Sequence, residues 1–148
     1  MQGKTVLITG ADRGIGRETT RALAKKGAAI IMACIDLDDA KPVCEGIKEE
    51  SGNLNIALMQ VDLASFNSIR EFAVQFSKRY QQLNVLINNA GVYCTKRGET
   101  QEGFEKTMGI NYLGPFLLTN LLLPILKKTP EARIVNVSSN AYFQGKMI

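Results

Sequence analysis

The 148-residue chain has no histidine, and its three cysteines, Cys34, Cys44 and Cys94, form no Cys-x-x-Cys pair. No metal site of the usual Cys/His kind can be completed from such a set, so none is expected. The cysteines read as reduced thiols of a cytoplasmic protein. A signal peptide is also lacking, because a strand pattern begins by Thr5 with no basic segment and apolar run before it. Long hydrophobic runs are absent too: the richest stretch, Leu113 to Leu126, is interrupted by Pro115, Asn120 and Pro124. It falls short of the ~20 residues of a membrane span and reads as a helix buried in the protein. The formal net charge of +4 is spread among interspersed acids, which favours a solvated mixed surface over a nucleic-acid partner.

What is present is an ordinary globular composition, 45% hydrophobic and 22% charged, without repeats or low-complexity segments, so residues 1–148 are expected to form a single domain. Short β-branched runs at Thr5–Thr9, Ala29–Cys34, Asn55–Gln60, Leu83–Ile87 and Arg133–Val137 show no clean polar alternation, as strands covered on both faces do not. Between them, helical spacing predicts Ile15–Lys26, Asp39–Ser51, Ser65–Tyr80 and a long helix starting near Thr100. Ser65 is a plausible cap for the third, whose Ile69, Phe72, Ala73 and Phe76 make one stripe. Right-handed crossovers then give an α/β, doubly wound parallel sheet of Rossmann type, order 3-2-1-4-5, with helices on both faces. Ligands of such sheets bind outside the carboxyl ends of strands 1 and 4.

The run Thr9-Gly10-Ala11-Asp12-Arg13-Gly14-Ile15-Gly16 leaves the first strand and opens the first helix. In that context Gly10 permits a sharp turn, Gly14 lets backbone approach a pyrophosphate, and Gly16 lets the helix pack on the sheet. An anion is then favoured at the helix N-terminus. Turn and packing glycines alone are the bland alternative. The spacing Gly-x-x-x-Gly-x-Gly is one residue longer than the widespread Gly-x-Gly-x-x-Gly.

That turn, with Asn88-Asn89-Ala90-Gly91 after the fourth strand, resembles the short-chain dehydrogenase/reductase family. Asp62 after the third strand, Asn111 in the long helix and Ile134-Val135-Asn136-Val137-Ser138-Ser139 extend the resemblance over essentially the whole chain. Glu102-Gly103-Phe104 and Asn111-Tyr112-Leu113-Gly114 look most like its retinol dehydrogenase branch. The resemblance implies that Gly10, Asp12, Arg13, Gly14, Ile15 and Gly16 bind cofactor together with Asp62, Leu63, Asn88, Ala90 and Gly91. Within that set Asp62 would meet the adenine amino group, and Asn88 would also steady the sheet. A turn cap for Asp62 and a plain tight turn for Asn88 to Gly91 remain open.

Two catalytic residues are implied in the same way. Ser139 matches the serine that holds the substrate oxygen, and Asn111 matches an asparagine whose main-chain carbonyl holds a water in a proton relay. Pro115 has no N–H to give that carbonyl if both lie in one helix; a simple kink is the alternative. The family's Tyr-x-x-x-Lys pair is expected well beyond the serine. Tyr142 to Lys146 satisfies the pattern, but it lies close to Ser139, and Gly145 weakens a helix there. It reads as loop, and the chain reads as ending before the true pair, which would also leave the fifth strand as an open apolar edge.

Asp36 has the ~20-residue spacing from Gly16 of an acid that binds the adenosine ribose and favours NAD. In the family that acid sits slightly earlier, where Cys34 stands, and the arginine that often follows in NADP-preferring relatives is replaced by Ile35. Arg13 and Arg17 can reach a 2′-phosphate, so NADP is favoured with NAD as the alternative. Hydride transfer between nicotinamide and a small-molecule alcohol or carbonyl is the leading expectation. A catalytically inactive nucleotide-binding or regulatory chain is the competing one. No nucleic acid or membrane span is expected, and homo- or hetero-oligomers stay open.

Overall fold

The computed structural model describes residues 1–140. Its strands are apolar on both faces, and the two sets of side chains that alternate along them build two separate cores. Leu7, Ile31, Met59 and Leu86 point to one side of the sheet, while Val6, Ile8, Ile30, Met32 and Ile56 point to the other. The strands are β1 (Thr5–Thr9), β2 (Ala29–Cys34), β3 (Ile56–Gln60), β4 (Val85–Asn88) and β5 (Arg133–Asn136), all parallel in the order β3-β2-β1-β4-β5. This is the expected topology. Helices α1 (Gly14–Lys25) and α2 (Leu37–Ser51) cover one core through Ala24, Ala40, Cys44 and Ile47. Helix α3 (Phe66–Arg79) covers the other with Ile69, Phe72 and Phe76, the predicted stripe.

Helix starts follow their capping chemistry. The Ser65 hydroxyl accepts the Ser68 N–H and caps α3 as expected. The Asp36 carboxylate accepts the N–H groups of Asp38 and Asp39, so α2 begins at Leu37, ahead of the expected Asp39. The helix expected near Thr100 starts later. Gly103, at φ +81°, closes a turn in which its N–H donates to the Thr100 carbonyl, and Glu105 then caps α4 (Lys106–Met108). β4 starts at Val85, after the Leu83 N–H donates to the Thr129 hydroxyl and the Thr5 N–H to the Asn84 side chain.

A π-helical turn, Gly109–Leu113, joins α4 to α5 (Gly114–Lys128). Here the Gly114 N–H reaches back to the Gly109 carbonyl. This wider register falls where Pro115 has no N–H to contribute, so the proline is absorbed without breaking the rod. Asn111 and Pro115 therefore share one continuous helical run, Lys106–Lys128. That corrects the expectation of a short, buried apolar stretch: the run has 23 residues, is long and apolar enough to cross a membrane by length and composition, and only 28% of its apolar window is buried. Leu118, Leu122 and Leu126 face the core, whereas Tyr112 and Phe116 stack on each other at the surface.

Candidate functional site

The carboxyl ends of β1 and β4 are tied together by side chains. The Thr9 hydroxyl accepts the N–H groups of Asn89 and Ala90, and the Asn89 amide donates to the carbonyls of Thr9 (2.9 Å) and Gly10 (3.1 Å). Gly16, one helical turn on, lies so close that a Cβ there would overlap the Gly10 carbonyl and come within 2.5 Å of the Asn89 amide nitrogen. No other residue fits this junction. Asn89 is the locking residue that sequence reasoning missed, although it lies inside the quoted Asn-Asn-Ala-Gly motif.

The junction floors a cavity of about 460 Å³. The sequence-predicted residues Gly10, Asp12, Arg13, Gly14, Ile15, Asp62, Leu63, Ala90 and Gly91 all line it. So do Ile35 and Val137, which the resemblance touched without giving them a binding role, and Val61, Val92 and Ile110, apolar positions that no motif singles out. All but Ile110, which sits in a helical turn between Lys106 and Lys128, follow closely on a strand end. A larger hollow, about 660 Å³, opens at the opposite, amino end of the strands beside Lys25, Lys26 and Gly52, where the helix carboxyl termini disfavour an anion.

At the cavity wall α1 begins without a side-chain cap, in contrast to α2, α3 and α4. Gly14 has φ +52°, and a Cβ on it would project into open space. Bare backbone thus faces the cavity at the positive end of a helix dipole, which is a cradle for an anion. Ile15 and Ile35 add exposed apolar surface to the same wall.

Asp12 is almost buried and accepts a 2.7 Å charge-assisted bond from Arg13 Nε. That bond leads the effects that hold the exposed guanidinium pKa above its ordinary value. Behind it, burial and then the Asp12 charge push the Cys34 thiol up to about 12, so it stays protonated. One Asp62 oxygen accepts the Ala64 N–H as a turn cap, and the residue also lines the cavity.

Other expected residues lie elsewhere. Asp36 caps α2 and is not among the residues lining the cavity. Asn88 turns away from it, its amide donating to Thr119 (3.1 Å) and Asn136 (2.8 Å), which joins β4 to α5 and β5. The Asn111 side chain grips Val92 from both sides, accepting its N–H and donating to its carbonyl, each at 2.8 Å. It thereby fixes the segment after Gly91. Ser139 is exposed beyond the end of β5, on the segment that leaves the cavity wall at Val137. The Tyr142 to Lys146 pattern lies outside the described residues.

Residues 4–147 match the family model of short chain dehydrogenases. The chain belongs to the short chain dehydrogenase family. Human retinol dehydrogenase 13 is 45% identical over 143 residues, which is 97% of this chain and 43% of that protein. Human retinol dehydrogenase 11 is 44% identical over 147 residues, 99% of this chain and 46% of that one. The chain thus spans less than half the length of these relatives. Among solved structures, a short chain dehydrogenase of Escherichia coli CFT073 complexed with NADPH superimposes with a TM-score of 0.84 at 28% identity, covering 99% of this chain and 62% of that one. A protein of Mycobacterium paratuberculosis gives 0.83 at 37% identity, covering 98% and 49%.

Proposed function

We propose that the chain supplies the dinucleotide-binding part of an oxidoreductase that moves hydride between a nicotinamide and an alcohol or carbonyl carbon, with NADP favoured over NAD. The observation that carries this reading is the uncapped N-terminus of α1, which opens onto a cavity whose walls come from the family's separate motifs. The backbone of Gly14, Ile15 and Gly16 would hold the pyrophosphate, with Gly10 shaping the turn. Asp62 retains an oxygen for the adenine amino group beside Leu63, and Ala90 and Gly91 form the opposite wall, past the end of a strand that Asn88 ties to α5 and β5. Asp36 caps α2 through Oδ1 and lies outside the cavity lining, and Ile35 offers no charge, so Arg13 on the cavity wall would meet a 2′-phosphate.

When bound, the nicotinamide supplies or accepts the hydride. Ser139 would hold the substrate oxygen, and the Asn111 carbonyl, which Pro115 cannot serve, would hold a relay water. The retinol dehydrogenases among its relatives favour a retinoid-like alcohol or aldehyde as substrate, in a reducing, cytoplasmic setting that keeps Cys34, Cys44 and Cys94 as thiols. Parallel titrations of NADPH and NADH, read by nicotinamide fluorescence, test the cofactor reading. Saturable binding with NADPH tighter, and loss of that preference in Arg13→Ala, is expected. Tighter NADH, or no saturable binding of either, refutes it.

A further inference from the structure

Arg13 stands 70% exposed at the cavity rim, where a side chain so long would ordinarily sample many rotamers. Its Nε, however, is committed to Asp12 at 2.7 Å, and the Asp12 side chain is only 8% exposed. A carboxylate so placed is costly unless it is paired. The Arg13 guanidinium on the solvent side supplies that pairing, and the Cys34 thiol lies buried nearby. The thiol stays protonated and acts as a neutral neighbour. Asp39 is the only other acid paired with Arg13 among the described residues, at 3.8 Å from Nη2, too far for a hydrogen bond. The terminal nitrogens are therefore not tied down by Asp39.

We infer that Asp12 is a positioning residue that holds Arg13 by its Nε so that the guanidinium fork presents two terminal nitrogens to the 2′-phosphate of NADP. This rests on the dinucleotide reading above and explains how a chain with Ile35 in place of a cation keeps a phosphate site. A planar guanidinium gripped at Nε can still offer a bidentate face, whereas a lysine offers only a point charge.

The test compares Asp12→Ala, Asp12→Asn and Arg13→Lys in the full chain by titrating NADPH and NADH in parallel. Asp12→Ala should weaken NADPH about five- to tenfold more than NADH, the size expected for one ordinary net hydrogen bond at an exposed group. Asp12→Asn keeps an acceptor oxygen for Nε and should retain most of the preference. Arg13→Lys, a surface change that leaves folding intact, should lose it although the charge remains. In an Arg13→Ala background, adding Asp12→Ala should leave the NADPH-to-NADH ratio where it was. Equal losses for both dinucleotides in Asp12→Ala, or full NADPH preference in Arg13→Lys, would overturn the inference while leaving dinucleotide binding intact. Failure of the unaltered chain to bind either dinucleotide would overturn both.

Discussion

Two glycine-to-alanine substitutions in neighbouring helices should move stability in opposite directions. Within a helix, alanine is favoured over glycine by about 1 kcal/mol, because glycine loses more backbone freedom on folding. At Gly46, in α2, a Cβ meets nothing within 4 Å, so that preference should be realised nearly in full. At Gly16, in α1, the Cβ would overlap the Gly10 carbonyl and crowd the Asn89 amide at 2.5 Å. Both are parts of the β1–β4 junction, where Asn89 bonds Thr9 and Gly10, so relief requires backbone to move. Overpacking of this kind costs roughly 1–3 kcal/mol, and loss of an Asn89 bond about another 1. The clash therefore outweighs the propensity gain, leaving Gly16→Ala about 1–3 kcal/mol less stable. Urea unfolding followed by far-UV circular dichroism measures both variants against the parent. The midpoint should rise for Gly46→Ala and fall for Gly16→Ala. A Gly16→Ala chain as stable as Gly46→Ala would refute the claim that the junction is rigid.

Three further outcomes follow from single contacts. Cys34 has its folded pKa raised from 9.0 to about 12 by burial and then by Asp12, so its contribution is intact below pH 9 and is lost as pH rises toward 12. In Cys34→Ser the alkaline fall in stability between those limits should shrink, and thiol-reactive dye should label Cys34 in the parent only on unfolding; labelling at native pH 8 would contradict this. Asn111→Ala removes both bonds to Val92, each worth about 0.5–1.5 kcal/mol, and should speed hydrogen exchange at the Val92 amide while exchange in β1 stays slow. Ile134 and Val135 in β5 and Val137 just past it are each 42% exposed, and β5 pairs only with β4 among the described residues. Size-exclusion chromatography should show concentration-dependent self-association of the chain, reduced by Val135→Lys; a monomer at all concentrations counts against this.

Topology was readable because the strands carry their signal locally. Runs such as Val6-Leu7-Ile8 and Ile30-Ile31-Met32 are apolar on both faces, and only a parallel sheet sandwiched by helices buries both. The Ser65 cap was readable for the same reason, since donor and acceptor lie within one turn. The Lys106 start of the long helix was not. It depends on Gly103 adopting a left-handed conformation and on Glu105 capping, in competition with a polar run from Thr100 that is equally compatible with a first turn. Nor was the π-helical turn, because periodicity reports which face is apolar and says little about one extra residue in a turn.

At the site, spacing brought the backbone parts to one cavity and left one side chain outside its lining. A pyrophosphate cradle is made of backbone, so the glycine positions nearly define it, and Gly10 and Gly14 fall at the cavity as their spacing requires. Asp36 has the spacing of a ribose ligand, but spacing cannot say where a carboxylate finds its donors. The N–H groups of Asp38 and Asp39 lie next to it in sequence, and they engage its Oδ1 as a helix cap. On the inference drawn above, charge selection at the ribose end would fall to the pair formed by Asp12 and Arg13. These residues are adjacent in the chain, yet their pairing matters only because the fold buries one and exposes the other.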